Sequence, residues 1–147
     1  MWEPEQPSYK GCMTSIQTAS PRFGVAGTFL EAMASHDFSQ LAASLDPDAT
    51  LTALLPRGYD EWHGAPDICA QFETWFGETE RYEVVDAAVG QVGALLELRW
   101  RLRLCAGRLG VEPRIVEQHV YAVTGPTGLI ESMRLLCSGF WPEPAHV

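Results

Sequence analysis

The sequence is short of the features that mark the common specialised classes. No apolar run approaches the roughly 20 residues that a bilayer-spanning helix needs. The opening MWEPEQPSYKG is acidic and proline-bearing where a secretory signal would be basic and then apolar. Positive charge is scarce: 10 lysines and arginines stand against 19 aspartates and glutamates, a formal net charge of −9. A surface of that sign repels phosphate backbones and anionic lipid, so neither nucleic acid nor membrane is expected as a partner. A cytoplasmic protein is expected. The cysteines (Cys12, Cys69, Cys105, Cys137) form no CxxC pair, and the histidines (His36, His63, His119, His146) show no HExxH spacing. Scattered in this way, the cysteines read as reduced packing residues, and no metal site is expected. No internal repeat and no second domain is visible.

What is present is the composition of an ordinary globular domain: 147 residues, 46% hydrophobic and 20% charged, enough chain to bury a core without staples. Residues 1–20 are polar and without periodicity, and read as a flexible N-terminal arm: composition favours a disordered tail, and the alternative, motivated by Trp2 and Tyr9, is a lid or a strap across a dimer partner. Residues 21–142 form the expected single domain, with 143–147 as a tail. Val25, Phe29, Leu30 and Met33 predict a helix from Arg22 to Ala34. After a break at His36-Asp37, Asp37 is expected to cap a second helix, with Gln40 reaching back as in a capping box and Phe38, Leu41, Ala42 and Leu45 on its apolar face. Pro47 and Asp48 stop that helix. Thr50 to Leu54 is a short strand, and Leu55 to Gly64 an irregular loop carrying Tyr59, Asp60, Trp62 and His63. Pro66 suits the first turn of a third helix, which lays Ile68, Phe72, Trp75 and Phe76 on the core and ends at Gly77.

From Arg81 the period changes to two. Strands are expected over Arg81–Val89, over Leu95–Cys105, where Leu96, Leu98, Trp100, Leu102 and Leu104 alternate with Glu97, Arg99, Arg101 and Arg103, over Arg114–Val123, and from Leu129 to about Phe140. Gly90 to Gly93 and TGPTG at Thr124–Gly128 are the turns. Long antiparallel strands after three helices predict an α+β fold, the helices on one face of a mainly antiparallel sheet.

The order of these elements, together with local motifs, resembles the nuclear-transport-factor-2-like superfamily of ketosteroid isomerases, SnoaL-type polyketide cyclases and limonene-epoxide hydrolases. The motifs are Phe29-Leu30-Glu31-Ala32-Met33 with His36-Asp37-Phe38, then Leu45-Asp46-Pro47-Asp48-Ala49-Thr50, His63-Gly64 with Ile68, and Gly128-Leu129-Ile130-Glu131-Ser132-Met133-Arg134. The resemblance implies a conical α+β barrel around one apolar pocket, often in a homodimer built on the outer face of the sheet. It also implies a cofactor-independent enzyme acting on a small apolar organic substrate by isomerisation, cyclisation or epoxide opening. The alternative is a binding or assembly module without catalysis. In favour of that alternative, Phe29 stands where the isomerases keep a tyrosine donor, and Ala53-Leu54-Leu55 where they keep a general-base aspartate.

Their second donor lies on the penultimate strand. It maps to Val120 without gaps, or to His119 if the hairpin turn is one residue longer, and the second alignment is preferred. A one-residue slip reverses every side chain, so this choice decides the site. On the preferred alignment His119, assisted by Glu117 or Asp60, moves protons. Tyr59, Trp62, His63, Trp75, Trp100, Tyr121 and Met133 line the substrate cavity.

Overall fold

A computed structural model describes residues 21–143. The expected N-terminal arm, with Trp2, Tyr9 and Cys12, and residues 144–147 lie outside the described residues. The elements in order are helix α1 (Pro21–Ala34), a short 3-10 helix (Phe38–Ser44), β1 (Leu45–Leu55), β2 (Gly58–His63), α2 (Ala65–Phe76), β3 (Arg81–Val92), β4 (Leu95–Cys105), a 3-10 turn (Gly107–Leu109), β5 (Arg114–Thr124), β6 (Ile130–Cys137) and β7 (Trp141–Pro142).

The alternation in LLELRWRLRLC is realised without a break. Leu96, Leu98, Trp100, Leu102 and Leu104 are buried on the inner face of β4, while Glu97, Arg99, Arg101 and Arg103 lie on the other. The strands run in the order β2-β1-β6-β5-β4-β3, with β7 pairing β5, in a curved and mostly antiparallel sheet. The β1–β6 pair is parallel. Bulges bend such a sheet, and β3 carries an extra residue, Val85, between the Val84–Leu102 and Asp86–Arg101 pairs. Helices α1 and α2 and the 3-10 helix cover the inner face, where Phe29, Phe38, Phe72, Phe76 and Trp100 interlock in tilted and edge-to-face contacts. The described residues thus form the expected α+β cone.

Three local expectations are corrected. The second helix is a single 3-10 stretch with no side-chain cap: Asp37 Oδ1 accepts instead from the Ser39 hydroxyl at 2.7 Å. The strand expected at Thr50–Leu54 begins earlier, at Leu45, because extended backbone tolerates Pro47 at a position where a helix would not. The supposed loop carrying Tyr59 to His63 is strand β2, zipped antiparallel onto β1 from Leu55–Gly58 to Thr50–His63.

The break after α1 has its own chemistry. His36 adopts a left-handed φ of 59°. Asp37 N–H then reaches Ala32 O (3.1 Å) and His36 N–H reaches Met33 O (3.2 Å), the paired bonds that close a helix end. For a non-glycine residue this backbone costs about 1 kcal/mol. Contacts of the ring offset it: Nε2 lies 2.6 Å from Phe76 O, and the imidazole stacks on Tyr82 at 4.2 Å. The Tyr82 hydroxyl in turn donates to Met33 O at 2.7 Å, and burial pushes its pKa up. Among the described residues no helix is long and apolar enough to cross a membrane.

Candidate functional site

On β5 the inner row is Val116, Gln118, Val120 and Ala122, all buried. Gln118 is the one polar member, 1% exposed, opposite Trp100 on β4 and Cys137 on β6. Trp100 is itself fully buried, between Phe29 and Phe72. Its indole N–H donates to Gln118 Oε1 at 3.1 Å. An indole nitrogen only donates, so this bond settles which end of the amide is oxygen. Both N–H groups of Nε2 are then left over, and Nε2 has no partner among the described residues. A buried donor without a partner costs about 1–3 kcal/mol, so a chain that keeps one invites a ligand acceptor.

Gln118 lines a cavity of about 530 Å³. Leu55, Trp75, Leu109 and Phe140 supply apolar wall, and Gln71, Thr74, Cys137, Arg57 and Arg108 the polar groups around Gln118. The Arg108 guanidinium donates to the Trp75 carbonyl and lies over the Phe140 ring, 5.2 Å from its centroid, so it joins two cavity walls. The Cys137 sulfur accepts the Gly139 N–H at 3.4 Å. Such a site can hold a flat apolar body and fix one oxygen.

The acid/base centre expected on β5 is corrected. His119 and Glu117 pair across the sheet with Arg99 and Arg101, on the outer face. His119 Nε2 lies 2.8 Å from Glu97 Oε2, and Glu117 accepts from Arg101 Nε at 2.9 Å. The expected carboxylate partner therefore exists, but it is Glu97, and the pair does not face the cavity. A one-residue irregularity does occur at the β5–β6 hairpin. It falls on β6, where Glu131 is the extra residue between the Thr124–Ile130 and Val123–Ser132 pairs, so β5 keeps its parity with β4. Tyr121, stacked on His119 at 5.7 Å, shares the outer face.

Of the expected cavity residues, Trp75 lines the cavity. Trp62 packs on Trp75 at 5.6 Å from the inner side of β2. Trp100 lies beneath the cavity and acts on it through Gln118, and Met133 is core, paired with Leu51 and Ala122. Tyr59 and His63 are exposed on the outer side of β2, with His63 3.5 Å from Glu61. Asp60 pairs with Ala53 on the inner side of that edge strand and accepts the Glu61 N–H at 2.8 Å. Sequence reasoning missed Gln118, Arg57, Arg108 and Phe140. A signal for Gln118 was present: one polar residue interrupting the small apolar row Val116, Val120, Ala122. Cys69, Cys105 and Cys137 are free, and burial pushes the Cys69 thiol up. Among the described residues no three His, Cys, Asp or Glu side chains gather as metal ligands.

The SnoaL-like domain profile matches residues 26–131. No curated protein matches the chain in sequence. Among solved structures, a putative polyketide cyclase from Xanthomonas campestris pv. campestris superposes with a TM-score of 0.60 at 15% identity, over 79% of this chain and 89% of that one. A steroid delta-isomerase from Pseudomonas aeruginosa gives 0.58 at 16% identity, over 85% of each chain. An LEH-like epoxide hydrolase of M. tuberculosis gives 0.58 at 16% identity, over 80% of this chain and 83% of that one. At these identities the likeness establishes the fold.

Proposed function

The chain belongs to the SnoaL-like family, and from that premise we propose that its cone binds a small, largely apolar organic molecule, one oxygen of which accepts from Gln118 Nε2. The observation that carries this reading is the buried, unpartnered amide beside a cavity of about 530 Å³. Trp100 holds the amide in the donating orientation, so the donor is positioned before the ligand arrives. An amide N–H at a carbonyl oxygen steadies negative charge as an enolate develops. That makes an isomerase or cyclase reaction without a cofactor the second reading. Of the three acid/base candidates Asp60 alone lies on the inner side of the sheet, but it is exposed on edge strand β2 and outside the cavity lining, so this second reading rests on the Gln118 donor alone. Thermal shift and mass spectrometry with a panel of cyclic ketones test both. A ligand at 100 times its Kd stabilises the fold by about 2.7 kcal/mol. Recovery of the ligand unchanged supports binding, its conversion supports catalysis, and the absence of any shift overturns the reading.

The same proposal includes a homodimer on the outer sheet face, where Tyr59, Leu54, Leu136 and His119 form one continuous cross-strand row. Leu54 and Leu136 are more than half exposed there. Light scattering is expected to give twice the monomer mass for the native chain and the monomer mass for Leu136→Glu. A native monomer would remove the dimer from the proposal.

A further inference from the structure

We infer that the ligand of this cavity is an organic acid: a flat, apolar molecule whose carboxylate or ionised enol pairs with Arg57 and Arg108 while a carbonyl oxygen accepts from Gln118. This rests on the cavity reading above and adds to it the charge of the ligand.

The argument begins with an imbalance. The chain carries a formal net charge of −9, yet the cavity is lined by two arginines and by no aspartate or glutamate. The three outer-face arginines of β4 are matched to carboxylates: Arg99 to Asp86 at 3.0 Å, Arg101 to Glu117 at 2.8 Å, and Arg103 to Glu83 and Glu143 at 2.9 and 2.7 Å. The cavity arginines are not. Arg108 spends its hydrogen bond on the neutral Trp75 carbonyl and its ring contact on Phe140. Arg57 has no partner among the described residues. Glu78 and Glu80 lie on the far side of Arg108, outside this cavity, so two guanidinium groups beside apolar wall, neither of them ion-paired among the described residues, form a site best filled by a carboxylate or similar planar anion.

The shape of the molecule follows from the wall. Trp75 and Phe140 are aromatic surfaces that favour a flat body. Gln118 lies among the inner-row residues of the sheet, and Arg57 and Arg108 belong to the β1–β2 turn and the 3-10 turn after β4. Carbonyl and anion are therefore recognised by different elements, and the ligand needs both groups on one rigid frame.

Anthraquinone-2-carboxylate and its methyl ester share that frame and differ by the charge and one methyl group. Titration calorimetry at low salt is expected to show the acid binding roughly 10- to 100-fold tighter than the ester, the value of one charge-assisted hydrogen bond. The gap should narrow as sodium chloride is raised. In Arg57→Gln/Arg108→Gln the acid should bind no better than the ester, and in Arg108→Lys part of the preference should remain. Because Arg108 also ties Trp75 to the turn, the single variant Arg57→Gln, at an exposed and unpartnered position, must by itself reduce the preference. Equal affinities for acid and ester in the native chain, both weakened by Gln118→Leu, would overturn the acid while leaving the cavity reading in place. A preference that survives the double substitution also overturns it. Binding of neither compound would overturn both readings.

Discussion

The two faces of the sheet handle polar groups in opposite ways. On the outer face of β4 polar groups are dense and partnered: Asp86–Arg99, Glu117–Arg101, Glu83–Arg103 and Glu97 with His119 run across neighbouring strands, Glu143 closes on Arg103 from beyond β7, and the carboxylates hold Arg103 protonated above its ordinary range, Glu143 first and Glu83 second. On the inner face polar groups are rare, and Gln118 leaves a donor unused. Abundance of chemically capable side chains is thus a poor guide to the site. An imidazole beside a carboxylate, as in His119–Glu97, is a pattern shared by acid/base catalysis and by ordinary cross-strand pairing. A buried donor with nothing to donate to is harder to account for by folding alone, because it weakens the fold that contains it.

Three substitutions test that contrast. The largest effect belongs to Trp100→Ala on the inner face, which should cost about 3–5 kcal/mol in urea unfolding by opening a cavity between Phe29 and Phe72 and removing the hold on Gln118. A loss under about 1 kcal/mol would mean that the core does not close around this ring. Next is Gln118→Leu, which should weaken binding of a carbonyl ligand by about 1–3 kcal/mol while shifting stability far less, since the buried orphan donor leaves together with the acceptor of Trp100. If stability falls while affinity holds, Gln118 is a packing residue and the contrast breaks. The smallest effect belongs to His119→Ala. At about one third exposure of both partners, its pair with Glu97 is worth about 0.2–1 kcal/mol, less at high salt, and ligand affinity should not change. A large loss of binding in this variant would return the site to the outer face.

Much of the fold was legible in the sequence because it depends on period. The bounds of β4 are those of the alternating run, and the aromatic stripe of α2 places Phe72 and Phe76 in the core as its spacing requires. β2 was not legible: Pro, Gly and Asp around Leu55–Gly64 read as irregular, and pairing with β1 overrode that local signal. Little of the site was legible. Trp75, read from the sequence as core first and ligand wall second, stands in the wall of the cavity beside Gln118. His119, Glu117 and Tyr121 were expected in the cavity and stand across the sheet from it, because parity was inferred at a hairpin whose extra residue sits on β6.

Apolar spacing and turn residues by themselves determined the class of fold, the two α-helices that pack on the sheet and much of the core, since burial acts on every residue of an element and the pattern repeats. Tertiary structure alone decided which polar residue of β5 faces inward, which partner each charge found, and which arginines were left without one. Those outcomes turn on register and on the meeting of distant segments: Gln118 with Trp100, Arg108 with Phe140. A one-residue change of parity exchanges the two faces of a strand without disturbing the sequence pattern that made it a strand.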